Sequence, residues 1–483
     1  MMPIDVGDLS LEGSQSALHE RLFHAIRAKI VAQLWPLGGK LPSTRKLANE
    51  LSISRNTVIA AYEQLVAEGY LESRKGSGFY VTVHLPDHYL HTSSERMPQS
   101  AAAPISAFEI NKPFAPGVPD LAQFPIDKWQ RMLLRHGNRI SLMGNQNVQG
   151  SLALRQALAE YLASSRSVAC NASRIIITSG AQQALYIATS AILGAGDKVL
   201  MEQPGYAQMS KVLKLKQVDV ESLIVKENVG FDLLQVEESA AKALYVTPSN
   251  QYPMGTTLNS EQRLNLIHWA NLQQRWIIED DYDSEFQFAH RPYTSLQGLA
   301  SEMSSEDRVL YIGSFSKVMF NGLRLGYLVV PESLVATCLQ IKDATSGDTA
   351  THSQEALADF ISEGHLLRHI RKMRKLYHQK YQRMCCAIEL HFKGKAKVIS
   401  QAAGLHVTIK WTVEVDEIRL ATEAEKIGIV VRPMRYYEDE SNPYRHNRAW
   451  HSVVLGFGNT GLEQIEPNIA ALARLFERLE TDA

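Results

Sequence analysis

A series of short apolar runs separated by longer helical stretches constrains this 483-residue chain more than any other feature. Ile175-Ile176-Ile177-Thr178, Lys198-Val199-Leu200-Met201, Ala243-Leu244-Tyr245-Val246, Trp276-Ile277-Ile278-Glu279 and Val309-Leu310-Tyr311-Ile312 each suit one strand. They are continuously apolar rather than alternating, so both faces of the sheet must be covered. That predicts an α/β domain with a largely parallel sheet. From Ser333 onward the pattern changes to long helices with a few strands, which predicts a smaller α+β lobe. Residues 84–112 carry Pro86, Ser93, Ser94, Pro98, Ser100 and Pro104. That is linker composition, partly extended by its prolines. The boundaries read 14–83 for a first domain, 84–112 for a linker and 113–478 for the α/β domain.

The first domain reads as three helices and a strand pair. Leu18, Leu22, Ile26, Ile30 and Leu34 recur at helical spacing. Ser43 and Ser54 are the expected N-caps of the next two helices, the second running from Arg55 to Glu68 and ended by Gly69. Tyr70–Ser73 and Phe79–Val83 read as strands joined by the loop Arg74-Lys75-Gly76-Ser77-Gly78. Two helices meeting through Leu51-Ser52-Ile53 make a helix-turn-helix. Arg55 and Asn56 open its second helix and are side-chain types that read guanine and adenine edges. Ser54 and Thr57 stand beside them, Arg45 and Lys46 are placed for phosphates, and Lys75 and Gly76 form a wing tip. The net charge is −1, and up to His84 nine basic residues face eight acidic ones. Charge alone therefore does not argue for DNA; the order of the motifs does.

In the α/β domain, Gly313-Ser314-Phe315-Ser316-Lys317 is followed by Arg324-Leu325-Gly326-Tyr327. A lysine framed by hydroxyls, with an arginine seven positions on, suits pyridoxal 5'-phosphate (PLP). The amine would form a Schiff base with the cofactor aldehyde, and hydroxyls and guanidinium would hold the phosphate. Ser179-Gly180-Ala181-Gln182 follows a strand and opens a helix, whose free N–H groups would bind a dianion. Asp280 ends another strand and can pair with a pyridinium nitrogen; Tyr282 could donate to the ring O3'.

Two resemblances follow from these motifs. Lys40-Leu41-Pro42-Ser43-Thr44-Arg45-Lys46, Ser54-Arg55-Asn56-Thr57-Val58 and Lys75-Gly76-Ser77-Gly78-Phe79-Tyr80 resemble the GntR-type winged helix. The strand-end motifs from about Lys112 to Arg474 resemble fold type I aminotransferases. Together they resemble the MocR/GabR subfamily of bacterial transcription regulators. That resemblance implies Lys317 as the Schiff-base lysine, Asp280 as the pyridinium partner and Tyr282 near O3'. It places Gly180, Ala181, Gln182, Ser314, Ser316 and Arg324 around the phosphate and Tyr206 in the site. It also implies a homodimer, double-stranded operator DNA as partner, and an amine, amino acid or PLP itself as effector.

Two positions depart from the aminotransferase pattern. Where those enzymes carry Asn before Pro-x-Gly, this chain has Tyr252; Asn250, two residues earlier, joins the expected cofactor-binding set. Where they carry a carboxylate-clamping Arg in the final strand, this chain has Val454. Arg432 and Arg435 lie nearby as substitutes or as surface and structural residues. A lysine cradle beside a missing clamp argues for sensing rather than turnover. The alternative is an active aminotransferase with an accessory DNA-binding domain. The cysteines Cys170, Cys338, Cys385 and Cys386 show no CxxC spacing, so no metal site is expected. No signal-peptide pattern and no membrane-length apolar run is present, which predicts a cytoplasmic protein.

Overall fold

The computed structural model describes residues 4, 6, 9, 11, 17–32, 34–82, 112–288, 293–439 and 448–482. Val83 and all of the expected linker but Lys112 lie outside the described residues. The chain divides into two compact units, Met1–Ile105 and Ser106–Ala483.

In the first unit, α1 (Leu18–Val31), α2 (Thr44–Glu50) and α3 (Arg55–Ala67) pack around Leu22, Phe23, Ile26, Leu47, Val58, Ala61, Tyr62 and Leu65. Ser43 Oγ accepts from Lys46 N and Ser54 Oγ from Thr57 N, so both expected caps form. The apolar stripe ends earlier than its spacing predicts. α1 stops at Val31, leaving Leu34 63% exposed, and Trp35 takes the core position instead at 5%. β1 (Leu71–Arg74) and β2 (Gly78–Val81) pair antiparallel, Leu71 against Val81 and Arg74 against Gly78. Gly76 and Gly78 adopt φ of +75° and +116° in the turn between them, a region that disfavours side chains with a Cβ.

The second unit is built on a seven-stranded sheet. Its strands are β3 (Ile175–Thr178), β4 (Lys198–Gln203), β5 (Asp219–Ile224), β6 (Ala243–Val246), β7 (Trp276–Asp281), β8 (Val309–Ser314) and β9 (Gly326–Val329). Their order across the sheet is β3-β9-β8-β7-β6-β4-β5. β5-β4-β6-β7-β8 pair in parallel, and β9 runs antiparallel between β8 and β3. The five expected strands are all present and fully buried along their centres. β5 and β9 were not expected from the sequence. β5 has a half-buried, mixed pattern, and β9 hides behind the glycine and arginine of the lysine motif.

A smaller four-stranded antiparallel sheet contains β10 (Lys397–Val398), β11 (His406–Trp411), β12 (Arg432–Pro433) and β13 (His451–Gly456), in the order β10-β11-β13-β12. The helices His365–Phe392 and Leu462–Thr481 pack beside it and carry the expected α+β character of this part.

Candidate functional site

In parallel sheets of this kind the carboxyl ends of strands frame ligand crevices. Here the ends of β3, β4, β6, β7 and β8 lead into a pocket of about 320 Å³. Ala181, Gln182, Tyr206, Asp280, Tyr282, Ser314, Ser316, Lys317 and Arg324 line it, so most of the residues expected to hold a cofactor meet in one place.

One end of the pocket is built for an anion. β3 turns into the helix Ala181–Ile192 through Gly180, which adopts φ +92°. A Cβ there would come within 3.3 Å of the Arg324 guanidinium, so glycine keeps that approach open. Arg324 donates to Ser179 O at 3.2 Å from its own left-handed backbone conformation. Ser314 Oγ donates to Ser316 Oγ and accepts from Ser316 N. Helix amides, two hydroxyls and a guanidinium make a donor set suited to a phosphate dianion.

The middle of the pocket follows from strand alternation. On β7, Glu279 and Asp281 point away from it, Glu279 accepting from Leu296 N and Gln297 N, and Asp281 pairing with Arg166 at 2.6 Å. Asp280 between them faces the pocket, and its Oδ2 accepts from Tyr245 Oη at 2.7 Å. Burial pushes the Asp280 carboxyl up to about 7, and Tyr245 and Lys317 pull it back. A ring N–H cation beside it would restore the ionised form. Lys317 Nζ donates to Gly117 O at 2.5 Å. Burial pulls its amine down to about 8, against the charges of Asp283 and Asp280. A lysine so placed is a ready nucleophile towards an aldehyde.

Two expected residues lie differently. Gly180 backs the phosphate end through Arg324 without lining the pocket. Asn250 sits behind the wall, its Nδ2 donating to both Asp283 oxygens at 3.0 and 3.2 Å. Asp283, outside the expected set, lines the pocket in its stead. Its place in Asp280-Asp281-Tyr282-Asp283 was the available signal. Tyr282 lines the pocket, with its hydroxyl donating to Asn250 O at 2.9 Å.

The far wall is aromatic. Tyr252 is surrounded edge-on by Tyr206, Tyr282, His406 and Tyr437, and its hydroxyl meets Tyr437 Oη at 2.9 Å. Another arginine stands beside the position of the absent one. Val454 is buried among Met254, Met434 and Tyr437, but Arg432 stands opposite it in register on β12 and lines the pocket. Its guanidinium lies 5.4 Å from the Tyr436 ring centroid. Arg435 does not line the pocket; its backbone N–H donates to Glu417 and its half-exposed guanidinium lies 3.8 Å from Asp416.

In the first unit, Arg45, Lys46, Ser54, Arg55 and Asn56 are exposed on α2 and the start of α3, and Thr57 is half-buried. Arg55 Nε donates to Thr44 Oγ1 at 3.4 Å, tying the two helices of the motif. The hydroxyls of Ser54 and Thr57 bond each other at 2.9 Å and serve the cap. Lys75 and Gly76 are exposed at the hairpin tip. Behind them Arg74 stacks on Tyr80, 4.4 Å from the ring centroid. Among the described residues no cluster suits a metal ion, and no helix is long and apolar enough to cross a membrane.

Residues 18–81 match the family described as bacterial regulatory proteins, gntR family, and residues 114–443 match aminotransferase class I and II. The chain is 32% identical over 477 residues to the probable rhizopine catabolism regulatory protein MocR of Rhizobium meliloti, covering 96% of this chain and 94% of that one. It is 30% identical to the pyridoxine biosynthesis transcriptional regulator PdxR of Corynebacterium glutamicum, covering 92% of each. Against TauR of Rhodobacter capsulatus it is 29% identical, over 96% and 97%. LysN, the α-aminoadipate aminotransferase of Thermus thermophilus, superposes with a TM-score of 0.70 at 23% identity over 77% of this chain and 94% of that one.

Proposed function

This chain belongs to the MocR/GabR subfamily of GntR-type transcription regulators, PLP-type proteins with an aminotransferase-like domain, and on that footing we propose how its pocket senses a ligand. When bound, PLP supplies an aldehyde carbon that condenses with a primary amine and a ring that accepts electrons. Lys317 would present the amine, Asp280 would pair with the ring nitrogen, and the Ala181 helix start, Ser314, Ser316 and Arg324 would hold the phosphate. The effector would be an amine, an amino acid or PLP itself, and its arrival would alter operator affinity. The active aminotransferase alternative is not favoured, since the similar full-length proteins are named as regulators.

The observation that carries the reading is the shared pocket of Lys317, Asp280, Arg324 and Arg432. A second cation beyond the lysine suits an amine that also bears an anionic group, an amino acid being the simplest. Spectral titration of the PLP-loaded protein with amines, amino acids and pyridoxal vitamers tests this. Amino acids should perturb the absorption at lower concentration than the matching amines without a carboxylate. Arg432→Ala should remove that preference, at a cost of about 1.5–3 kcal/mol in effector affinity. A variant that keeps it would place the anion elsewhere.

Operator recognition rests on the exposed start of α3. Arg55→Ala should weaken operator binding by about 1–3 kcal/mol and leave PLP binding intact. Unchanged anisotropy titrations would remove Arg55 from that role. We also propose that the protein acts in the cytoplasm as a homodimer, as the subfamily implies; sedimentation of the full chain measures the second point.

A further inference from the structure

We propose that the Gly117 carbonyl is the resting partner that positions Lys317, and that residues 112–120 loosen when the Lys317 amine is consumed. The proposal rests on the reading of Lys317 as the lysine that condenses with PLP. Gly117 O takes two donors, Lys317 Nζ at 2.5 Å and Asn321 Nδ2 at 3.1 Å. Gly117 adopts φ +79°, and a Cβ there would lie 2.6 Å from Lys317 Nζ. Only glycine permits this approach.

The rest of the segment is tied to the smaller sheet and its helices. Pro113 O accepts from Val430 N, Phe114 O from Gly456 N, and Phe114 N donates to Thr460 Oγ1. At the other end Asp120 N donates to Tyr377 Oη, and Asp120 Oδ2 accepts from buried Lys380 at 2.8 Å. Between these anchors the chain lies so close to Gly456 and Gly458 that a Cβ at either would strike Ala115 O or Val118 O. Segment 112–120 thus joins the smaller sheet to the lysine, and Gly117 O is where it meets the lysine.

Condensation of an amine with an aldehyde changes that meeting point. The nitrogen gives up two hydrogens, the aldehyde gives up its oxygen, water leaves and a C=N bond forms. The nitrogen then has at most one hydrogen and is drawn to the new carbon. Gly117 O loses its stronger donor and keeps the Asn321 amide. Lys112 is also the first described residue after the stretch that leads back in sequence to the DNA-binding unit.

Hydrogen–deuterium exchange of the full-length protein, read on peptides spanning residues 112–124, tests this. Wild type without PLP should exchange slowly. Addition of PLP should raise the rate by about threefold, the scale of losing one hydrogen bond. Lys317→Ala should show the raised rate without PLP and ignore PLP. Lys317→Arg keeps donors, so it should stay slow and ignore PLP as well. Exchange in Lys317→Ala equal to or slower than that of wild type without PLP overturns the proposal. If Lys317→Ala does not fold, wild type with and without PLP decides alone, and exchange that PLP leaves unchanged while the band forms overturns the proposal. The absorption spectrum of the same samples separates the two readings. A PLP band with unchanged exchange rejects the Gly117 proposal alone. Absence of the band rejects the cofactor reading, while the Lys317→Ala comparison without PLP still decides the role of Gly117.

Discussion

Lys317→Ala is expected to abolish the absorption band near the visible edge that wild type develops with PLP. The amine is the group in the pocket placed to condense with an aldehyde, within the influence of the Asp280 and Asp283 carboxyls. The variant still has Arg324, the serines and the helix start, so it should retain weak, non-covalent affinity for the phosphate. The rate at which the band forms carries a second signature. Only the neutral amine attacks, and burial holds Lys317 at about 8 instead of the ordinary lysine value. The rate should therefore rise with pH through about 8 and level off above it. A rate still climbing steeply at about pH 10 would show an ordinary, solvated lysine.

Arg166→Ala should cost about 3–5 kcal/mol of stability, measured by denaturant unfolding of the full chain. The Arg166 and Asp281 side chains are 1% and 3% exposed. Arg166 Nε reaches Asp281 at 2.6 Å, Nη1 reaches Tyr293 O at 2.7 Å and Nη2 reaches Ser249 Oγ at 3.0 Å. Tyr311 Oη donates to the same Asp281 oxygen. Removing the guanidinium strands a buried carboxylate one residue from Asp280, so the loss should weaken PLP binding too. Arg166→Met with Asp281→Leu removes both charges and should recover much of the stability, because the penalty lies in the unpaired ion. A cost below about 1 kcal/mol for Arg166→Ala would show that water enters the pair.

The sequence was most readable where one physical rule governs a residue. Continuous apolar runs located β3, β4, β6, β7 and β8, and serines at helix starts located two caps. Strand-end placement brought Asp280 and Lys317 together, since the carboxyl ends of parallel strands share one edge, and Arg324 joins them from just before antiparallel β9. What stayed hidden depends on pairing between distant segments. Arg432 reaches the pocket because β12 lies in register with Val454 of β13, and a two-residue strand leaves no periodicity to read. Asn250 has the right chemistry for a cofactor contact but is held back by Asp283, and Gly404 is needed for that pair to pack. Gly117 lies 200 residues from the lysine it contacts, in a loop whose conformation only the fold determines. Leu34 continued a helical spacing that Trp35 ended by taking the core position.

The claim that the PLP pocket controls DNA binding is tested most directly by fluorescence anisotropy on an operator selected from random duplexes by the full-length protein. Wild type should change its operator affinity on the order of tenfold between the PLP-free, PLP-loaded and effector-treated forms. Lys317→Ala should bind with one affinity in all three conditions. Wild-type affinity that is the same in every condition, or a Lys317→Ala response equal to that of wild type, would contradict the account.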